Sequence, residues 1–332
     1  MRFNQLGRRE FITLISGAAV TWPLTARAQQ PTMPVIGFLS SRSPTESTSV
    51  VAAFRQGLQE SGYIDGQNAR IEFRWADGHY DRLPILASEL VTRQVALIAA
   101  TGDVPSALAA KGATSTLPIV FVIGGDPVSF NLVASYNRPG GNVTGVSLVT
   151  NVLGAKCLGL LHDLVPNAAV IGLLVNPDNP NAEPVRKDAQ EAAHIIGQQI
   201  YVVNAANERD FEPAFAALVQ QRADGLVVAS DPFLLSQCEQ LVMLSARHMI
   251  PTIYEFREFA TAGGLMSYGS NVAGAYRQAG VYIGRIIKGE KPADLPVVQS
   301  TKFEFVINLK TAKALGITVP LHLQQIADEV IE

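Results

Sequence analysis

Short apolar segments rich in valine and isoleucine alternate with longer amphipathic segments from Pro34 onward. Apolar runs of this kind are typical of parallel strands buried on both faces, and the segments between them have helical periodicity. The alternation therefore predicts an α/β protein. The predicted strands are Val35–Leu39, Ala69–Arg74, Val95–Ala99, Ile119–Ile123, Val143–Ser147, Ala169–Val175, Ile200–Val203, Gly225–Ala229, Thr252–Tyr254, Gly264–Tyr268 and Phe303–Ile307.

The strand and helix alternation restarts midway along the chain. One series of strands ends near Ser147 and another begins near Ala169, and two sheets are more plausible than one sheet of all these strands. We therefore expect two Rossmann-like lobes with parallel sheets, joined by three crossings that form a hinge. Lobe 1 would comprise residues 33–148 and 269–296, and lobe 2 residues 149–268 and 297–332.

Paired glycines lie near two of the expected crossings. Gly140 with Gly141 and Gly263 with Gly264 could absorb the backbone rotation of a hinge, because glycine tolerates φ values that other residues avoid. The same residues could equally be simple turn glycines. The sequence leaves both interpretations open.

Residues 1–28 have the pattern of a cleavable signal peptide. Arg2, Arg8 and Arg9 precede the uncharged apolar stretch 11–24, and cleavage is predicted near Ala28. The two adjacent arginines resemble a twin-arginine (Tat) export signal, with an ordinary Sec signal as the alternative. Either route predicts an exported protein in the periplasm. The first cysteine is Cys157, so no lipid-anchoring cysteine stands at the cleavage point, and a soluble protein is expected.

Composition excludes several classes of partner. The formal net charge is −3 and the pI about 6.0, so no basic surface for nucleic acid or anionic lipid is indicated. No later apolar run has the length of a membrane span, so stable membrane insertion is not expected. Cys157 and Cys238 are interpreted as buried thiols, with a disulfide as the alternative. Neither has a CxxC motif or a histidine at ligand spacing, so no metal and no cofactor are predicted.

The loops after the predicted strands carry the candidate site, because ligands of open parallel sheets bind beyond the carboxyl ends of the strands. Hydroxyls and backbone N–H groups at helix N-termini could hold a carboxylate, acidic groups opposite could hold an ammonium, and aromatic rings could flank the rest. Each polar residue could instead be an ordinary helix cap or turn residue. The candidate ligand-binding residues are Ser40, Ser41, Thr101, Gly102, Asp126, Asn176, Asp231, Tyr254, Glu255 and Tyr268.

Sequence motifs of the common catalytic sites are not found. The chain has no GxSxG, no HExxH and no GxGxxG after a strand, and its five histidines are scattered. The sequence therefore favours binding over catalysis, and no catalytic residue is predicted.

Several segments resemble the ABC_sub_bind family of solute-binding proteins. They are 54–58, 62–68, 118–128, 138–145 and 287–296, and the likeness extends over the whole chain after the signal peptide. The resemblance implies a periplasmic binding protein type I fold and delivery of a small solute to an ABC permease with its ATPase. Better understood members bind tryptophan or phenylalanine. Those members have Asn after a Ser-Asp pair, whereas Pro232 follows Asp231 here.

The sequence thus favours the monomeric solute-binding component of an ABC importer, with an amino acid or an aromatic compound as ligand. A protein that presents its ligand to a membrane sensor is the alternative, because it would need the same clamp. A periplasmic enzyme on the same scaffold is a further alternative.

Overall fold

The computed structural model describes residues 33–332, so the predicted signal peptide lies outside the described residues. Within this range the strands form two separate sheets, which are called sheet A and sheet B below. Helices connect most successive strands, as the alternation in the sequence predicts, but the described connections from 124 to 142 and from 300 to 302 contain no α-helix. None of the described helices is both long and apolar enough to cross a membrane.

Sheet A contains six of the described strands, in the order β11-β5-β4-β3-β1-β2. All of its neighbouring strands are parallel. The central strands β3 and β4 are buried along their whole length, because helices cover both faces. The strands are β1 Val35–Ser40, β2 Arg70–Trp75, β3 Leu97–Thr101, β4 Ile119–Ile123, β5 Val143–Ser147 and β11 Val298–Gln299.

Sheet B contains seven described strands, in the order β13-β12-β10-β9-β8-β6-β7. Its strands are parallel except that β12 runs antiparallel to β10, so the predicted parallel sheet is confirmed apart from this one pairing. The strands are β6 Val170–Val175, β7 Gln199–Asn204, β8 Gly225–Val228, β9 Thr252–Tyr254, β10 Met266–Ser270, β12 Phe303–Asn308 and β13 Glu329–Ile331.

The α-helices form layers on both sheets. They are α1 Thr48–Glu60, α2 Leu83–Thr92, α3 Val104–Ala113, α4 Gly154–Leu164, α5 Ala182–Ile195, α6 Phe211–Gln220, α7 Pro232–Ser236, α8 Cys238–Arg247, α9 Arg257–Thr261, α10 Val272–Ile287, α11 Leu309–Ala314 and α12 Leu321–Ile326. The sequence predicts one helix over 234–249, where the structure has the two helices α7 and α8. The short strands β11 and β13 have too few residues to show a periodicity.

Helices α1 and α10 pack with their backbones unusually close on one face of sheet A. A Cβ on Gly57 would lie 1.9 Å from the carbonyl oxygen of Arg277, and one on Gly280 would lie 2.3 Å from that of Phe54. Only glycine fits such a contact. The glycines thereby allow the ring of Phe54 to pack against Phe38 of β1, with centroids 5.2 Å apart.

The chain passes between the sheets three times: after β5, after β10 and after β11. Hydrogen bonds tie these connections together. Ser270 Oγ donates to the carbonyl of Leu148, Asn271 N to that of Lys302 at 2.9 Å, and Ser300 N to that of Ser147 at 2.8 Å.

The paired glycines do not lie in these connections. Gly140 and Gly263 precede β5 and β10, whereas the connections follow those strands, so the hinge interpretation of the glycines is wrong. Both have positive φ (71° and 103°), which fits turn glycines. Strand β11 pairs with β5 in sheet A, although residues from 297 were expected in lobe 2.

Candidate functional site

Loops after the strands of the two sheets meet in one space, which we call the cleft. Three pairs of loops are in contact: the loop after β2 with that after β8, the loop after β3 with that after β6, and the loop after β1 with that after β9. The carboxyl ends of both sheets therefore face each other, as expected for a ligand crevice in parallel sheets.

Four polar side chains join the two sides of the cleft, and we call them the cross-cleft cluster. Tyr80 Oη donates to Asp231 Oδ2 at 2.6 Å. Asn179 Nδ2 lies 2.9 Å from Asp103 Oδ2 and 2.9 Å from Asp231 Oδ2. One amide group thus bridges a carboxylate of each sheet's loops. Asp103, Asn179 and Asp231 are almost completely buried.

Local structure fixes the two aspartates of this cluster. Asp231 is the N-cap of α7 and accepts a hydrogen bond from Leu234 N at 2.9 Å. Pro232 occupies the first turn, where its missing N–H costs nothing. Asn176 adds a contact to both oxygens of Asp231 at 3.3 Å. Asp103 Oδ1 accepts from Gly124 N at 2.8 Å.

Burial dominates the electrostatics of the cleft. Removal from water raises the pKa of both Asp103 and Asp231, although the hydrogen bonds they accept lower it again in part. Burial also raises the pKa of Glu255 well above its ordinary value, and its Oε2 has no hydrogen-bond partner among the described residues. The cleft therefore contains three carboxyl groups whose charged form is disfavoured.

The predicted residues of the loops after β1 and β3 do lie together. Ser41 N donates to the carbonyl of Thr101 at 3.4 Å, and Thr101 Oγ1 to that of Leu39 at 3.3 Å. Gly102 has φ +95°, and a Cβ there would lie 2.4 Å from Ser41 Oγ. Ser40 Oγ accepts from the backbone of Arg42 at 3.2 Å. Ser41 Oγ is buried without a partner among residues 33–332, which leaves a hydroxyl for a ligand.

Three predicted residues have other roles in the structure. Asp126 holds its own loop by accepting hydrogen bonds from Val128 N at 3.1 Å and Tyr136 Oη at 3.0 Å. Tyr254 stacks on Phe259 at 4.3 Å within the helix layer of sheet B.

Tyr268 stacks on Phe303 at 5.9 Å within the other hydrophobic cluster of sheet B. Both tyrosines belong to strands, where successive side chains alternate between the faces of the sheet. Their rings therefore pack against the helix layers and leave the cleft to loop residues.

Sequence reasoning missed several residues that the structure brings into the cleft. They are Arg42, Tyr80, Asp103, Asn179, Ser230 and Tyr276. All except Tyr276 follow strands at the same edge of the sheets as the predicted residues. Their position after a strand could therefore have identified them as candidates from the sequence. Tyr276 comes from the first turns of α10, after the second connection, and only the tertiary packing directs it to the cleft.

The cleft contains an inner and an outer cavity. The inner cavity leaves only about 10 Å³ of free space between Arg42, Asp103, Ser230 and Tyr276, about enough for one water molecule. The outer cavity has a volume of about 410 Å³ and opens beside Ser49, Glu255 and Asn271. Phe256 and Val272 line both cavities, so the two are adjacent.

The residues described here do not include a group of three or more His, Cys, Asp or Glu side chains that could hold a metal ion. Cys157 and Cys238 are free thiols.

Solved structures confirm the predicted fold. The structure is similar to that of an ABC domain in complex with L-Trp from Streptococcus pneumoniae, with a TM-score of 0.82 and 27% identity over 90% of this chain and 99% of that one. It is also similar to the ligand-free, open structure of a substrate binding protein with adhesive properties from Clostridium difficile. There the TM-score is 0.66 and the identity 26%, with the same coverage.

Sequence comparison agrees with these structures. A tyrosine-binding protein of Clostridioides difficile (strain R20291) is 29% identical over 262 residues, which are 79% of this chain and 75% of that protein. The profile of the family described as ABC transporter substrate binding protein matches residues 33–331. The match covers nearly all of the described residues, and the chain is a member of the ABC transporter substrate-binding protein family.

Proposed function

We propose that this substrate-binding protein is exported to the periplasm, where it captures an aromatic amino acid between two lobes and delivers it to an ABC permease and its ATPase. Family membership and the signal-peptide pattern of residues 1–28 support this proposal. The names of its relatives support the ligand class, since they include a tyrosine-binding protein and a complex with L-Trp.

The observation that carries the proposal is the cross-cleft cluster. A clamp needs contacts between its halves that form on closure, and Tyr80, Asp103, Asn179 and Asp231 provide buried hydrogen bonds between the loops of sheet A and those of sheet B. The three hydrogen-bonded connections on one side would act as the hinge.

The proposed lobes follow the sheets. Lobe 1 would contain residues 33–148 and 271–299 with sheet A, and lobe 2 residues 149–270 and 300–332 with sheet B. The higher TM-score to the L-Trp complex than to the open, ligand-free structure, at equal coverage, supports a closed arrangement for this chain. Ligand would bind the closed form better than the open form, so closure would report loading to the permease.

Glu255 is the proposed acceptor for the ligand's ammonium. It is buried, its Oε2 is unpartnered among the described residues, and it lines the outer cavity. Asp231 is a poorer candidate, because Tyr80, Asn176, Asn179 and Leu234 already occupy its oxygens. Ser41 would add a hydroxyl, and Phe256 an aromatic wall.

The direct test is binding of aromatic amino acids to the purified protein, followed by thermal unfolding and calorimetry. A ligand at 1,000 times its dissociation constant should stabilise the folded state by about 4 kcal/mol. We expect the protein to be stabilised by L-tyrosine, L-tryptophan and L-phenylalanine, and each amino acid to be recovered chemically unchanged. D-glucose is the control. Stabilisation by the sugar alone, or chemical conversion of the bound compound, would contradict the proposal.

A further inference from the structure

Arg42 is buried in the cleft, and the described residues do not provide the hydrogen-bond partner that a buried charge requires. Only 2% of its surface is exposed, and its Nε and Nη1 have no hydrogen-bond partner among the described residues. The guanidinium lies over the ring of Phe256, 5.1 Å from the centroid. A cation–π contact compensates a small part of the lost hydration, whereas an arginine is protonated at any physiological pH. An anion at this position would satisfy it.

The acidic groups near Arg42 are already engaged or differently placed. Glu46 is the acid of the same loop region, and its Oε1 accepts from the hydroxyl of Ser43, whereas its Oε2 is buried without a hydrogen-bond partner among the described residues. Burial raises the pKa of Glu46, and the nearby charge of Arg42 lowers it again in part, but the two side chains form no ion pair within residues 33–332. Asp103 lines the same cavity as Arg42, but its two oxygens accept from Gly124 N and Asn179 Nδ2. Neither forms a hydrogen bond with the guanidinium within residues 33–332. Arg42 therefore has an acidic neighbour in Glu46 but no direct hydrogen bond or ion pair among residues 33–332 that would account for its burial.

Two hydroxyl groups without a partner among the described residues lie at this cavity or beside it. Tyr276 Oη is buried and has no hydrogen-bond partner among the described residues, and the same is true of Ser41 Oγ beside Gly102. Gly102 and Tyr276 line the inner cavity together with Arg42. A guanidinium and two hydroxyls can together bind a planar, singly charged anion, and arginine binds carboxylates through two parallel N–H donors.

A carboxylate fits better than a phosphate. Asp103 and Glu255 lie in the same cleft, and they would repel a doubly charged group more strongly than a singly charged one. The inner cavity is also too narrow in this conformation for more than a small group, so a larger part of the ligand would extend to the outer cavity past Phe256.

We propose that Arg42 is the carboxylate anchor of the cleft, so that the cargo is a carboxylic acid or a zwitterion and not an amine or an uncharged solute. This inference rests on the proposed solute-binding function and names the chemical group that its site selects. Arg42 would pair with the ligand's carboxylate while Glu255, on the other side of Phe256, would face the ammonium. The burial of an unpaired charge in the unliganded protein is then a cost that binding relieves.

The test is calorimetry with compounds that differ in one charged group. L-tyrosine and 4-hydroxyphenylpropionate carry the carboxylate, whereas tyramine lacks it; L-tryptophan, indole-3-propionate and tryptamine form a second set. The carboxylates are expected to bind and the two amines to bind at least roughly 10-fold more weakly. Inorganic phosphate should not compete.

Substitution of Arg42 distinguishes a role in ligand binding from a role in the stability of the fold. Arg42→Met should weaken carboxylate binding by roughly 10- to 100-fold, and should raise the melting temperature of the unliganded protein by a few degrees, because it removes the unpaired charge. Arg55→Met is the matched control: Arg55 also lies over a ring, that of Phe73 at 5.6 Å, but is exposed and paired with Asp65. It should leave binding unchanged.

The two proposals fail in different ways. Amines that bind as tightly as their parent amino acids, or Arg42→Met protein that binds carboxylates normally, would overturn the anchor and leave the clamp intact. A lower melting temperature of unliganded Arg42→Met would also overturn it, since the charge would then be stabilised within the protein. Binding of none of the six compounds would overturn the proposed ligand class, and the anchor with it.

Discussion

Tyr80 and Asp231 are hydrogen-bonded across the cleft, with Tyr80 Oη 2.6 Å from Asp231 Oδ2. The two residues are 151 positions apart in the chain, and they follow strands of different sheets. The bond can therefore exist only when the loops of the two sheets meet. The presence of this hydrogen bond therefore distinguishes the proposed closed form from an open form.

Tyr80→Phe removes this bond without changing the ring. A hydrogen bond to a charged acceptor contributes about 1.5–3 kcal/mol, so the closed form should lose stability relative to the open form. Ligand affinity should fall by roughly 10-fold or more, and the radius of gyration from solution X-ray scattering should increase without ligand.

Tyr136→Phe is the control for this experiment. Tyr136 also donates to an aspartate, Asp126, but both residues lie in the same loop region of sheet A. Its loss should leave affinity and radius of gyration unchanged. Equal effects of the two substitutions would show that the Tyr80 bond does not report closure.

Acidification should favour the closed form of the unliganded protein. Burial in the closed cleft raises the pKa of Asp103, Asp231 and Glu255, and opening would return each toward its ordinary value of 3.8 or 4.5. The closed form then binds more protons, so its share rises as the pH falls from the raised values toward about 4. Scattering between pH 8 and pH 5 should show a decreasing radius of gyration, and expansion on acidification would contradict the assignment.

The readout in that experiment must be closure and not thermal stability. Asp126 has a lowered pKa, because hydrogen bonds from Ser129, Val128 and Tyr136 outweigh its desolvation, so its contribution to stability is lost as the pH falls. This loss of stability at low pH opposes the stabilisation that the cleft carboxylates, whose pKa values are raised, would give to the folded protein at low pH. Asp103→Asn, which removes one titrating group of the cleft, should flatten the pH dependence of closure.

Gly57→Ala should destabilise the packing of α1 on α10. Its Cβ would lie 1.9 Å from the backbone oxygen of Arg277, so one helix must shift. Overpacking of this kind costs about 1–3 kcal/mol or more, which chemical denaturation can measure. The control is Gly112→Ala in α3, where nothing lies within 4 Å of the new Cβ. That change should be neutral or stabilise the protein by about 0.5–1 kcal/mol.

The two thiols should resist alkylation in the native protein. Burial raises the pKa of Cys157 well above its ordinary value and that of Cys238 to about 12, so neither carries a useful fraction of thiolate near pH 8. Mass spectrometry after iodoacetamide treatment should find no label in native protein and two labels in denatured protein. Fewer than two labels after denaturation without reductant would indicate oxidation of the thiols.

The local pattern of apolar residues was sufficient to predict the main strands and helices. The predicted bounds are confirmed for two strands, Val143–Ser147 and Ile119–Ile123. Both are short, apolar segments rich in β-branched residues, and such segments between turn residues form buried strands. A strand was missed where tertiary pairing decides the structure: Val298–Gln299 is a strand because it pairs with β5.

The polar loops illustrate a further limit of sequence reasoning. Ser41, Asp231 and Glu255 were predicted from their position after strands, and the structure brings them to the cleft. Tyr254 was predicted by the same reasoning, but it is the last residue of β9 and its ring points into the helix layer. Whether a residue at a strand end faces ligand or core depends on the strand's exact end and face, which sequence position does not specify.

The sequence by itself determined the class of fold, because the periods of apolar residues in strands and helices are local properties of the chain. It also determined the edge at which polar groups gather. Only the tertiary structure decided which of those groups are partnered. Asn179 donates to Asp103 across 76 positions, whereas Arg42 is buried and its Nε and Nη1 have no partner within residues 33–332. Hydrogen bonding between distant loops depends on ångström-scale geometry that arises only when both sheets have packed.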